Sequence, residues 1–105
     1  MPASLVEPVE AAKRVAAGDA YLLDVREPFE LTLAVVPGAH HIPMRQVPNQ
    51  LAKLPREKPI LVMCHHGARS QAVADWLAVQ GFLAENIAGG IDAWADEVDA
   101  SVPKY

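Results

Sequence analysis

Residues 60–64, Ile-Leu-Val-Met-Cys, form an unbroken apolar run between Pro59 and two histidines. Such a run is too short for a buried helix. It does not alternate in polarity, as a strand with one wet face would. It reads as a strand covered on both faces, which requires a sheet between two layers. A second run, Ala20-Tyr-Leu-Leu-Asp-Val-Arg26, has the same character. Between and after these runs lie stretches of helical pattern. "VEAAKRVAA" follows Pro8, which suits a helix start, and ends near Gly18. "SQAVADWLAVQ" places Ala72, Val73, Trp76, Leu77 and Gln80 at helical spacing and ends at Gly81. "GGIDAWADEV" opens a further helix. "SLVE" and "LAENIA" read as short strands, "AHHIPM" as extended, and "EPFELTLA" and "VPNQLAKL" as short helices. Strand and helix alternating at this interval predict an α/β domain with a mainly parallel sheet.

The chain has 105 residues, 51% of them hydrophobic. That is enough for one core, so a single domain over residues 1–105 is expected. No apolar run approaches the roughly 20 residues that span a bilayer. The first ten residues lack the basic start and apolar stretch of a signal peptide. A net charge of −4 and the absence of a basic stripe argue against nucleic acid as a partner. One cysteine rules out an internal disulfide, so the expected compartment is the reducing cytoplasm.

That cysteine, Cys64, stands at the carboxyl end of the buried run. In open α/β sheets this is where ligands bind. His65, His66, Gly67, Ala68 and Arg69 carry the chain round to a helix expected to open near Ser70. Unpaired N–H groups at a helix start, a glycine free to curl and a guanidinium could together make an anion cradle. Such a cradle would hold Cys64 as the thiolate, the nucleophilic form. Two readings of Cys64 stand: a nucleophile, or an inert buried thiol. Gly67, Arg69 and Ser70 in this order favour the first.

The segments "LLDVREPFE", "VPGAHHIPM", "CHHGARS", "GF" (Gly81-Phe82) and "AGGIDAW" occur in the order found in rhodanese-homology domains. The chain resembles that family of single-domain sulfurtransferases over nearly its whole length. The resemblance implies a five-stranded parallel sheet with helices on both faces. It implies that Cys64 takes a sulfane sulfur from a donor such as thiosulfate and becomes a persulfide, with no other cofactor. Cyanide, a thiol or a protein would then accept the sulfur. Backbone N–H groups of residues 65–70 would stabilise the charged sulfur. Phosphatases and arsenate reductases of this fold have a cysteine loop one residue longer. Here four residues separate Cys64 from Arg69, which disfavours them. A non-catalytic interaction module is a further alternative. One departure concerns Ala34-Val-Val36, where many relatives carry Gly-His-Ile; a polar contact is lost there.

Asp24 and Arg26 also stand at a strand's carboxyl end. They could shape the substrate mouth. The resemblance favours a supporting role, with Arg26 paired to Glu30 and Asp24 bonded to loop amides. His65 and His66 could aid substrate binding or add positive charge in mildly acidic solution. At least one of them is expected to be a plain solvent-facing loop residue. His40 and His41 point to opposite faces of an extended segment, and no zinc-like spacing is present, so no metal site is expected. Trp76 and Trp94 are expected in the core. Gly89-Gly90 is expected to allow a sharp turn, and the last residues to be ordered by packing alone.

Overall fold

The computed structural model describes residues 2–105. Five strands form one parallel sheet in the order β1-β5-β4-β2-β3. The strands are β1 Leu5–Val6, β2 Tyr21–Asp24, β3 His40–His41, β4 Ile60–Met63 and β5 Ala84–Ile87. The α-helices are α1 Pro8–Ala16, α2 Ala68–Val79 and α3 Gly90–Glu97. This is the α/β sheet that the apolar runs and the resemblance both predict.

The central strand shows why its sequence does not alternate. Ile60, Leu61, Val62 and Met63 are each 0% exposed. Successive side chains point to opposite faces. Leu61 and Met63 therefore join one core with Leu22, Ile87, Ile91 and Trp94. Ile60 and Val62 join the other with Leu23, Val73, Ala74 and Leu77. The first core lies under α1 and α3, the second under α2. Fully burying each such side chain contributes about 1.5–3 kcal/mol, so the strand needs both layers. Among the described residues, no helix is long and apolar enough to cross a membrane.

Several local expectations change. "EPFELTLA" and "VPNQLAKL" form 3-10 turns, at Pro28–Thr32, Met44–Asn49 and Leu51–Lys53. Pro48 lacks the N–H that an α-helix interior would need. Helix α2 begins at Ala68, two residues before the expected start. Its buried stripe is Ser70, Val73, Ala74 and Leu77. Ser70 must face Cys64, and positions three, four and seven further on then follow inward. Trp76, about 100° round the helix from Leu77, is consequently 36% exposed. It lines a shallow apolar groove with Met44, Val47, Pro48, Ala72 and Val73. Trp94 is buried, as expected. Ala34 and Val36 are also buried. The Ala34 carbonyl accepts from Arg26 Nη2 at 2.8 Å.

Candidate active site

Cys64 follows β4 and is 1% exposed. Gly67 immediately precedes α2 with φ +113°, in the region that favours glycine. That conformation turns the chain back on Cys64. Cys64 Sγ accepts from the N–H of Gly67 at 3.1 Å and of Ser70 at 3.3 Å. Both donors are otherwise unpaired groups at the start of α2, and the helix dipole adds to their pull on negative charge. Ser70 Oγ lies 3.2 Å from Sγ. Ala68 is the exposed first residue of the helix.

The Gly89-Gly90 pair does more than turn the chain. The N–H groups of Ile91 and Asp92, at the start of α3, donate to the carbonyls of Cys64 (2.8 Å) and His65 (3.2 Å). In trans peptides the C=O and N–H point in opposite directions. Anchoring these carbonyls on α3 therefore turns the N–H groups of His65 and His66 away from it. Gly90 has φ +62°, and a Cβ there would lie 2.5 Å from the Cys64 carbonyl oxygen.

Arg69 is the largest change from expectation. Its guanidinium does not stand alone as a positive charge beside the thiol. It forms a bidentate ion pair with Glu30, Nη1 to Oε1 and Nη2 to Oε2 at 3.0 Å. Glu30 is 4% exposed and its carboxyl is lowered from 4.5 to about 2. The hydrogen bonds from Arg69 are the main cause, opposed by burial and helped by Tyr105 and the Glu27 N–H. A folded value below the unfolded one stabilises the fold fully above about pH 4.5. That stabilisation disappears as pH falls towards about 2. The Tm advantage of wild type over Glu30→Gln should therefore shrink through that window. An advantage that is constant from neutral to strongly acidic pH would contradict this.

Arg26 does not pair with the Glu30 carboxylate. It is 0% exposed and Asp24 2%. Arg26 Nε and Nη2 donate to Asp24, the latter at 2.7 Å. Asp24 also accepts the backbone N–H of Arg26 rather than amides of the cysteine loop. The remaining donors of Arg26 reach the Glu30 and Ala34 carbonyls and the Tyr105 hydroxyl. The Glu30 carboxylate faces the cysteine loop instead, from the 3-10 turn.

Tyr105 completes the network. Its hydroxyl accepts from Arg26 Nη1 at 2.9 Å and donates to Glu30 Oε2 at 2.7 Å. Burial, foremost, pushes its phenol up to about 12, so it remains a donor at neutral pH. Its ring stacks on His65 at 3.9 Å. With Val102 buried, the tail is held by specific polar bonds as well as packing. His65 is sandwiched between Tyr105 and the exposed ring of His66.

His41 Nε2 bonds the Arg26 carbonyl at 2.7 Å, and His40 stacks on Tyr21. Among the described residues, His65, His66 and Asp92 bring possible metal-ligand atoms within 4.8 Å of one another. The two imidazoles, however, lie face to face at 3.8 Å and 22°. Lys104 Nζ also lies 3.7 Å from Asp92.

Sequence reasoning missed Asn86 and Tyr105. Asn86, 3% exposed on β5, bonds Ser70, Gly67 and Gln71. Its one signal was a polar residue inside the otherwise apolar end of "LAENIA". No signal marked Tyr105.

The rhodanese-like domain family matches residues 7–97 of the chain. A rhodanese-like/PpiC domain-containing protein 12, chloroplastic, from Arabidopsis thaliana is 46% identical over 92 residues, covering 83% of this chain. The match spans only 31% of that relative. A sulfurtransferase from Allochromatium vinosum is 35% identical over 78 residues, 73% of each chain. Among solved structures, reduced Bacillus anthracis CoADR-RHD is similar with a TM-score of 0.88 and 29% identity. It is matched over 96% of this chain and 18% of its own.

Proposed function

The chain belongs to the rhodanese-like domain family, and on that premise we propose that it is a sulfurtransferase carrying a sulfane sulfur as a persulfide on Cys64. The observation that supports this most is the convergence of the Gly67 and Ser70 N–H groups on Cys64 Sγ. Two fixed dipoles at a helix start favour a sulfur anion and need no rearrangement as charge moves.

The chemistry balances simply. The Cys64 thiolate attacks the outer, sulfane sulfur of thiosulfate. An S–S bond forms, the bond from that sulfur to the sulfonate sulfur breaks, and its electron pair leaves with sulfite. Cyanide or a thiolate then attacks the outer sulfur of the persulfide, and the electron pair returns to Cys64. Cys64 is the sole cysteine, so no internal thiol can resolve the persulfide. The acceptor is another molecule: cyanide, a small thiol or a protein thiol. The pairing of Arg69 with Glu30 leaves the backbone amides as the principal stabilisers of charge at the sulfur. The six-residue Cys64–Arg69 loop suits a sulfur atom better than a phosphoryl group. Aryl phosphate should not turn over above the Cys64→Ser background, and turnover that depends on Cys64 would contradict this.

The intact mass of the reduced protein tests the proposal. Thiosulfate should add one sulfur atom and cyanide should remove it. Alkylating Cys64 beforehand should prevent the gain. No gain, together with a thiol that alkylates like free cysteine, would overturn the reading in favour of a non-catalytic module.

A further inference from the structure

Ser70 has one hydroxyl proton and two neighbours placed to accept it. Cys64 Sγ lies at 3.2 Å and Asn86 Oδ1 at 2.6 Å. The direction of the Asn86 amide is set by its other contacts. Its Nδ2 donates to the Gly67 carbonyl at 3.1 Å and to Gln71 Oε1 at 2.9 Å. A backbone carbonyl can only accept, so the nitrogen of Asn86 must face Gly67 and its oxygen must face Ser70. Gln71 is oriented in the same way. Its Nε2 donates to the Ala3 carbonyl at 3.0 Å and to Asp75 Oδ1 at 2.8 Å. The ionised Asp75 carboxylate is also acceptor-only, and the Ala3 N–H bonds the same oxygen at 2.6 Å. Each donation from Asp75 inward to Ser70 therefore has one possible direction.

We propose that Asn86 is a positioning residue that holds the Ser70 proton, so that Cys64 Sγ meets an oxygen lone pair instead of a hydroxyl donor. This rests on Cys64 being the nucleophile. A lone pair beside Sγ opposes full negative charge on that atom. In a persulfide the charge lies on the outer sulfur and Sγ is a neutral divalent sulfur. The direction of the Ser70 hydroxyl thus favours the loaded enzyme over the bare thiolate. Among the described residues, only the Gly67 and Ser70 N–H groups then remain as donors to Sγ. Among the described residues, the ionisable groups on the elements around the thiol are Arg69, paired to Glu30, His65 and His66 in the loop, Asp92 on α3, and Tyr105, which stacks on His65 and bonds Glu30. None of them is altered by the variants that follow.

The test is the thiolate fraction of Cys64, read from ultraviolet absorbance against Cys64→Ser, at the pH where wild type is half ionised. Asn86→Leu removes the acceptor at similar volume and frees the Ser70 proton for Sγ. One hydrogen bond to a charged group is worth about tenfold in the ionisation equilibrium. The fraction should therefore rise to about nine-tenths. A loop merely slackened by losing its Asn86 ties would show a fall instead, and a fall or no change overturns the proposal. Ser70→Ala should leave the fraction at half or above; a drop towards about one-tenth would identify Ser70 as a donor to the thiolate. In the Ser70→Ala background, Asn86→Leu should produce no rise, and a rise there would mean that Asn86 does not act through Ser70. Should Asn86→Leu fail to fold, Ser70→Ala alone decides. The readout does not use thiosulfate, so a failure of persulfide formation would appear in the mass measurement and not here.

Discussion

Cys64→Ser is expected to lower sulfane-sulfur transfer by more than about 1,000-fold, the scale of losing a covalent nucleophile. Serine would occupy the same cradle and accept the same two N–H bonds. Its hydroxyl is un-ionised at neutral pH and cannot carry a sulfane sulfur as a persulfide can. Stability should change little, because the polar neighbours of Sγ, two backbone N–H groups and the Ser70 hydroxyl, are all uncharged. The Tm should stay within about 4 °C of wild type, corresponding to 1 kcal/mol or less. Thiocyanate formation from thiosulfate and cyanide, with Tm measured on the same preparations, checks both halves. Activity retained in the serine variant would remove Cys64 from the reaction. A folded, inactive variant would place the loss at the sulfur atom.

Asp24→Ala should have the largest effect on stability. Asp24 and Arg26 are 2% and 0% exposed, and the alanine variant would leave a buried guanidinium without its counter-ion. Breaking such a pair from one side costs about 3–5 kcal/mol. For a domain of this size that corresponds to a Tm drop on the order of 15 °C or more. Urea titration would give the same loss as a shift in midpoint at constant slope. The pair is not required in principle. Replacing both partners with apolar residues, as in Asp24→Leu with Arg26→Met, should recover much of the loss, because no buried charge then remains. The double variant would still lack the bonds from Arg26 to the Ala34 carbonyl and to Tyr105. A loss below about 1 kcal/mol in Asp24→Ala would mean that Arg26 had found water or another acceptor.

Sequence and structure agree most closely where chemistry is local. The cysteine, the glycine and the helix that follows are contiguous, and Gly67 closes the loop within four residues of Cys64. The run Ile60–Met63 announced a sheet covered on both faces because four consecutive apolar side chains must serve two cores. Helix α2 was legible as a helix, but its inward face was not. Periodicity alone allowed a stripe through Trp76, and the need to turn Ser70 towards Cys64 selected its neighbour. The short helical stretches became 3-10 turns because each has only one or two turns and a proline inside or at its start, so propensity had little to act on.

From the sequence alone came the alternation of strand and helix, the place of Cys64 at a strand's carboxyl end and the length of its loop. These depend on neighbours along the chain. The tertiary structure decided which charges pair and which way each hydrogen bond runs. Arg69 meets Glu30 across 39 residues, Ser70 meets Asn86 across 16, and Tyr105 meets Glu30 across 75. A buried guanidinium or carboxylate must find a partner, but several were available in sequence. Arg26 could have taken Glu30, four residues away. Asp24, at the end of β2, instead takes its Nε and Nη2 donors, and the 3-10 turn presents Glu30 to the cysteine loop. Which partner wins depends on distances set by the packing of separate elements, and those distances exist only once the sheet has formed.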